Sequence, residues 1–123
     1  ALAEILLLDQ YPRNAFRDTP WSFATDERAR QATNALVASG ADRDIPEDLR
    51  PFVYMPWMHS ESLDDQNRCV EAMTALNANN AHHAREHRKL IERFGRFPHR
   101  NAILGRTSTD EEQEFLAKGG YSP

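Results

Sequence analysis

Between its prolines and glycines, this 123-residue chain repeats apolar residues at three- and four-residue spacing, and nowhere does it sustain the period-two alternation of a strand. The pattern constrains the chain to an all-α fold of about five to six helices with short connections, which pack as stacked antiparallel hairpins or an irregular bundle. Residues 1–10 read as a first helix, apolar on nearly every side, that Pro12 should end, leaving 11–21 as a loop. Thr25 or Asp26 is expected to cap a second helix stopped by Gly40, and its stripe of Ala29, Ala32, Ala35 and Leu36 permits close packing. A third helix, about 47–60, should kink at Pro56, because proline lacks the N–H for the carbonyl four residues back. Further helices are expected at 63–77 and 81–94. An irregular loop should cover 95–106, and a last helix opens on a Ser108–Glu111 capping box, with Asp110, Glu111 and Glu112 as a solvated face.

Composition narrows the class. Hydrophobic residues make up 40% and charged residues 28%, so a disordered chain is not expected, and no apolar run approaches the roughly 20 residues of a membrane span. A single cysteine, Cys69, excludes an internal disulfide, and no thiol cluster offers a zinc site. With no export signal visible, a cytoplasmic location is expected. The net charge of −4 is unevenly spread: residues 82–106 hold seven cations and two anions, and the remaining chain carries −9. Thirteen of the fifteen basic residues are arginine, whose planar fork suits carboxylate or phosphate. An acidic body around one basic strip fits internal ion pairing or a confined anion site, and argues against a nucleic-acid partner.

Three polar constellations stand out. Asp9, Gln10, Arg13 and Asn14 close the most buried helix, where a bare charge costs several kcal/mol, so Asp9 either holds an arginine structurally or belongs to a site. His59 and Glu61 follow the Pro56 kink; His59 either satisfies helix-end carbonyls or acts as acid or base, with Glu61 orienting it or acting alone. His83 and His87 share a helix face, but a protease-type zinc motif needs Glu where Ala84 stands, so no metal and no cofactor are expected. Residues 93–101 then interleave Arg93, Arg96, His99 and Arg100 with Phe94, Phe97 and Pro98. Such a loop is neither wholly exposed nor wholly buried. Its guanidiniums form a structural clasp on carbonyls, Asp9 or Glu61, or line a cleft with spare donors. Cys69 reads as core.

These segments carry a resemblance. Leu6-Leu7-Leu8-Asp9-Gln10-Tyr11-Pro12-Arg13-Asn14, Met58-His59-Ser60-Glu61, and His87 followed by Arg93-Phe94-Gly95-Arg96-Phe97-Pro98-His99-Arg100-Asn101 and Leu104-Gly105-Arg106 are similar to the bacterial family called domain of unknown function 924. The resemblance implies a tetratricopeptide-like helical fold and carries no reaction with it. The family's sequences extend further at the N-terminus, so residues 1–123 are expected to form one helical domain, the C-terminal portion of a longer family domain. By motif match its recurring polar positions fall on Asp9, Gln10, Arg13, Asn14, His59, Glu61, His87, Arg93, Arg96, His99, Arg100 and Asn101.

Two functions remain open at this level. One is a cleft lined by Asp9, Arg13, Asn14, His59, Glu61, His87, Arg93, Arg96, His99 and Arg100 that binds a small anionic ligand or an acidic peptide group. The other is an enzyme using His59 or His87 as acid or base, with arginines holding an anionic substrate. The apolar first helix, with Leu2, Ile5, Leu6, Leu7 and Leu8, further suggests that the chain self-associates as a homodimer.

Overall fold

The computed structural model describes residues 1–120. The described residues are helical and contain no strand. Helix α1 (Leu2–Ile5) runs through a π turn (Leu6–Gln10) into α2 (Tyr11–Ala15); α3 (Asp26–Ala38), α4 (Pro51–Met58), α5 (Leu63–Leu76), α6 (Ala78–Phe94), α7 (Asn101–Leu104) and α8 (Asp110–Ala117) follow. Short 3-10 turns at Pro20–Phe23, Ala41–Asp44 and Pro98–Arg100 join them. The helical segments exceed the expected number, because the 95–106 loop itself contains turns of helix and the first helix continues past its proline. No helix among the described residues is long and apolar enough to cross a membrane.

Pro12 does not end the first helix. The π turn accommodates it: Tyr11 N–H bonds to the Leu6 carbonyl five residues back. The Leu8 carbonyl, which Pro12 cannot serve, accepts instead from Thr25 Oγ at 2.6 Å. Thr25 is thereby diverted from capping. It occupies the N-cap position of α3 without a side-chain cap bond, and Asp26 is buried in the first turn. The helix is also not enclosed all round. Ile5 and Leu8 are buried while Leu7 is 64% exposed, continuing into exposed Tyr11 and Trp21.

The core explains the order of packing. Leu36 of α3, with Ala32 and Val37 beside it, meets α4, whose Val53, Tyr54, Trp57 and Met58 form its centre, and Cys69, Met73 and Ala84 close it from α5 and α6. Small side chains on α3 bring the helices close enough for buried Thr33 Oγ to donate to the Val53 carbonyl at 2.7 Å. Helices α5 and α6 reverse on Asn77 alone, an extended residue that ends one helix and caps the next by accepting from Asn80 N–H. A second cluster, Leu90, Ile91 and Phe97 with Phe94 and Phe115, ties the end of α6 to α8. The left-handed Gly95 that separates Phe94 from residues 97–106 turns that stretch back onto the end of α4.

Candidate functional site

The end of α4 is where the three sequence motifs meet. A helix leaves its last carbonyls without intrahelical donors. Here Gln66 of α5, fully buried, donates from Nε2 to the carbonyls of Met58 (2.8 Å) and Ser60 (2.7 Å), and Arg100 Nη2 donates to that of His59 at 2.8 Å. His59 is therefore not needed as a carbonyl cap. Its ring turns to α1, where Nδ1 sits 2.8 Å from Asp9 Oδ1. Facing an ionised carboxylate, Nδ1 carries the proton and Nε2 the lone pair.

Asp9 is fully buried and richly held. Gln10 Nε2 donates to Oδ2 at 2.8 Å and Arg13 Nη1 to Oδ1 at 3.1 Å. Burial alone would raise its carboxyl, but His59, Arg13 and Gln10 outweigh that and hold it below its ordinary value. Arg13 also forks onto Asp26 at 2.8 and 2.9 Å, so two carboxylates share one guanidinium. Burial lowers His59, and Asp9 only partly offsets it while Arg13 and Arg100 add to it. The resting imidazole is thus neutral beside an ionised partner.

Arg100 is the contrasting cation. It is 7% exposed, and its guanidinium lies between the rings of Phe23 (4.5 Å) and Phe97 (4.7 Å). Beyond the single bond to the His59 carbonyl it has no hydrogen-bonded or ion-paired partner among the described residues, and its Nε is buried and unpartnered. Burial, then repulsion from Arg13, lowers it to about 10 against the longer-range pull of Asp26 and Glu61, so it stays charged at neutral pH. His99 beside it has a buried Nδ1 with no partner and is lowered by burial to about 4. His87 donates from Nδ1 to the His83 carbonyl at 2.7 Å, and burial lowers it to about 4 as well. Its ring centre is 6.3 Å from that of His59.

These groups border one cavity of about 540 Å³. Arg13, Asn14, His59, His87, His99 and Arg100 line it, and Asp9 stands directly behind His59. Six of the lining residues had no prior signal in the sequence: Arg17, Asp18, Ser22, Phe23, Asn80 and Ile103 come from turns, a helix start and a short helix that local pattern reads as connection. Asp26, read as a cap, is Arg13's partner. Among the described residues no group of three His, Cys, Asp or Glu side chains is arranged to hold a metal ion.

Three of the expected cleft residues point elsewhere. Glu61 accepts from the Phe97 N–H and, at 2.8 and 3.1 Å, from both Nη atoms of Arg106. Burial would raise its carboxyl, but these bonds hold it low. Arg96 forks onto Glu112 at 2.9 and 2.7 Å and donates to the Thr107 carbonyl. Arg93 pairs with exposed Glu111 at 2.9 Å. The acidic turn of α8 is a solvated face at Asp110 and Glu111 but not at Glu112, which is 2% exposed and is lowered to about 2, by its Arg96 bonds above all. The capping box is one residue later than expected, Thr109 with Glu112, since Ser108 Oγ accepts from Asn101.

A larger cavity, of about 800 Å³, lies between α3, α4 and α5. Its floor is Tyr54 and Trp57, whose polar atoms are already bonded to Asp42 and Asn34. Arg50 on its edge is spent on the carbonyls of Ile45 and Arg43. Arg43 and Arg68 also border it, but both are exposed to water; a buried, unspent donor distinguishes the smaller cavity.

The fold has a known counterpart. A solved structure of a protein of unknown function, ATU0120 from Agrobacterium tumefaciens, superposes with a TM-score of 0.93 at 47% identity, over 96% of this chain and 67% of that one. No curated protein matches the chain. The family model described as a bacterial protein of unknown function, DUF924, matches residues 1–120, and the chain belongs to that family.

Proposed function

We propose that the cavity between α2, the end of α4, α6 and the Pro98–Arg100 turn binds a small anionic ligand, with Arg100 as the anchor. The observation that carries this reading is a buried, charged guanidinium with no carboxylate partner and an unpartnered Nε. A charge removed from water without a counter-ion costs several kcal/mol. A protein that keeps one in place, clamped between two aromatic rings, is arranged to receive an anion. Arg17 on the rim adds a second cation and Asp18 next to it a carboxylate, whereas Arg13 is neutralised by Asp9 and Asp26. Phe23, Met55, Met58 and Ile103 supply an apolar wall for the ligand's carbon body. The cavity's size suits a small molecule.

A thermal-shift series with phosphate, sulfate, acetate, pyruvate and citrate tests it. An anion at one hundred times its dissociation constant stabilises the protein by about 2.7 kcal/mol. At least one of these should raise the melting temperature saturably, and Arg100→Gln should abolish the rise. A set of flat responses, or one that survives Arg100→Gln, contradicts the reading.

A further inference from the structure

We infer that the site is catalytic: His59 Nε2 is a general base, positioned by Asp9, that moves a proton on the carbon skeleton of a small 2-oxo carboxylate held by Arg100. This rests on the anion-binding reading above and adds a reaction to it.

Two imidazoles border the cavity with a proton fixed on Nδ1, and their partners differ. His87 gives its Nδ1 proton to a backbone carbonyl, which orients the ring but adds no countercharge. His59 gives its own to Asp9, a buried carboxylate that Gln10 and Arg13 keep ionised. A carboxylate on Nδ1 fixes the tautomer and stabilises the imidazolium that forms when Nε2 takes a proton. His59 Nε2 has no hydrogen bond from any described residue, and the ring lines the cavity. Arg100 is fixed to the main-chain oxygen of the same residue, so an anion on Arg100 lies next to that ring. The aromatic-clamped guanidinium lines the cavity, and its planar fork suits a planar carboxylate.

The chemistry that uses these two elements alone is enolisation. With the substrate carboxylate on Arg100, a C3–H bond of the 2-oxo acid breaks and its proton goes to His59 Nε2. The bonding pair shifts through C2 onto the keto oxygen, giving an enolate whose charge is adjacent to Arg100. The imidazolium then returns a proton to carbon, and no electron donor or acceptor is consumed. Side-chain nucleophilic catalysis would need a hydroxyl that the base can reach, but the one serine on the wall, Ser22, donates to the Thr19 carbonyl at 2.6 Å.

The test is hydrogen–deuterium exchange of the pyruvate methyl group in D2O, followed by proton NMR, with pyruvate binding measured on the same samples. The expected result is exchange at least tenfold above buffer. His59→Gln should return to the buffer rate with pyruvate still bound, and Asp9→Asn should slow exchange tenfold or more at unchanged affinity. A second readout needs no buried variant. The His59 Nδ1 proton should give a low-field resonance that His59→Gln removes and His87→Gln leaves. Pyruvate that binds but exchanges at the buffer rate overturns the catalytic inference and leaves anion binding standing. So does exchange that survives His59→Gln, or absence of the low-field proton. If no carboxylate binds, the underlying reading fails and this one with it.

Discussion

Two arginine clusters sit a few residues apart in this chain, and they differ in what holds the guanidinium. In the clasp, Arg96 and Arg106 each fork onto one carboxylate and take a backbone carbonyl as well. In the cleft, Arg100 has one carbonyl and two aromatic faces, and no carboxylate within ion-pair distance. The clasp fastens residues 95–106 to the end of α4 and to α8. The cleft is what that fastening positions. Arginines of one short basic strip therefore do opposite work, and counting their acceptors separates them where residue type does not.

The largest effect should fall on the clasp. Glu112→Ala removes the buried partner of Arg96, the acceptor for Asn101 and half of the α8 capping box, and should cost about 2–4 kcal/mol in urea unfolding. A loss below about 1 kcal/mol would mean that the clasp is ornamental. Next in size is the acid response. His87 and His99 bind protons poorly when folded, near 4 against an ordinary 6.5, so stability falls as pH drops from about 6.5 towards 4. Glu61 and Glu112 are held below their ordinary 4.5, the latter at about 2, so their contribution is complete above 4.5 and is lost below it. The urea midpoint should decline continuously from pH 7 to pH 3, and His87→Asn should flatten only the upper part. A midpoint constant down to pH 5 would contradict the buried neutral imidazoles.

Arg100→Met should change stability by less than about 1 kcal/mol in anion-free buffer. The lost bond to the His59 carbonyl is offset by removal of a buried charge that no carboxylate contacts. A loss of about 3 kcal/mol or more would place Arg100 in the clasp. Arg93→Ala is the smallest: its pair with Glu111 is about half exposed on both sides, and exposed pairs contribute about 0–1 kcal/mol.

Much of the fold was legible because helices announce themselves locally. Gly40 and Gly95 take the left-handed stop positions their spacing implied, and α5 and α6 fall close to their expected bounds. Pro12 misled, because the rescue of the Leu8 carbonyl comes from Thr25, distant in sequence and invisible to any local rule. The site was legible as a set of residue types, not as a partition. Asp9, Arg13, His59 and Arg100 converge, while Glu61, Arg93 and Arg96 are claimed by Arg106, Glu111 and Glu112. Which arginine meets which carboxylate depends on how residues 95–106 fold back, and that is set by tertiary packing around Phe97.

The division between clasp and cleft comes down to one titration. Isothermal calorimetry of an anion found by thermal shift should be run on the parent chain, Arg100→Gln and Arg96→Gln, each at a temperature where the protein is folded. The account predicts that Arg100→Gln abolishes binding, whereas Arg96→Gln leaves the dissociation constant within about threefold, a difference of about 0.7 kcal/mol. Binding that survives Arg100→Gln and is lost in Arg96→Gln would contradict it.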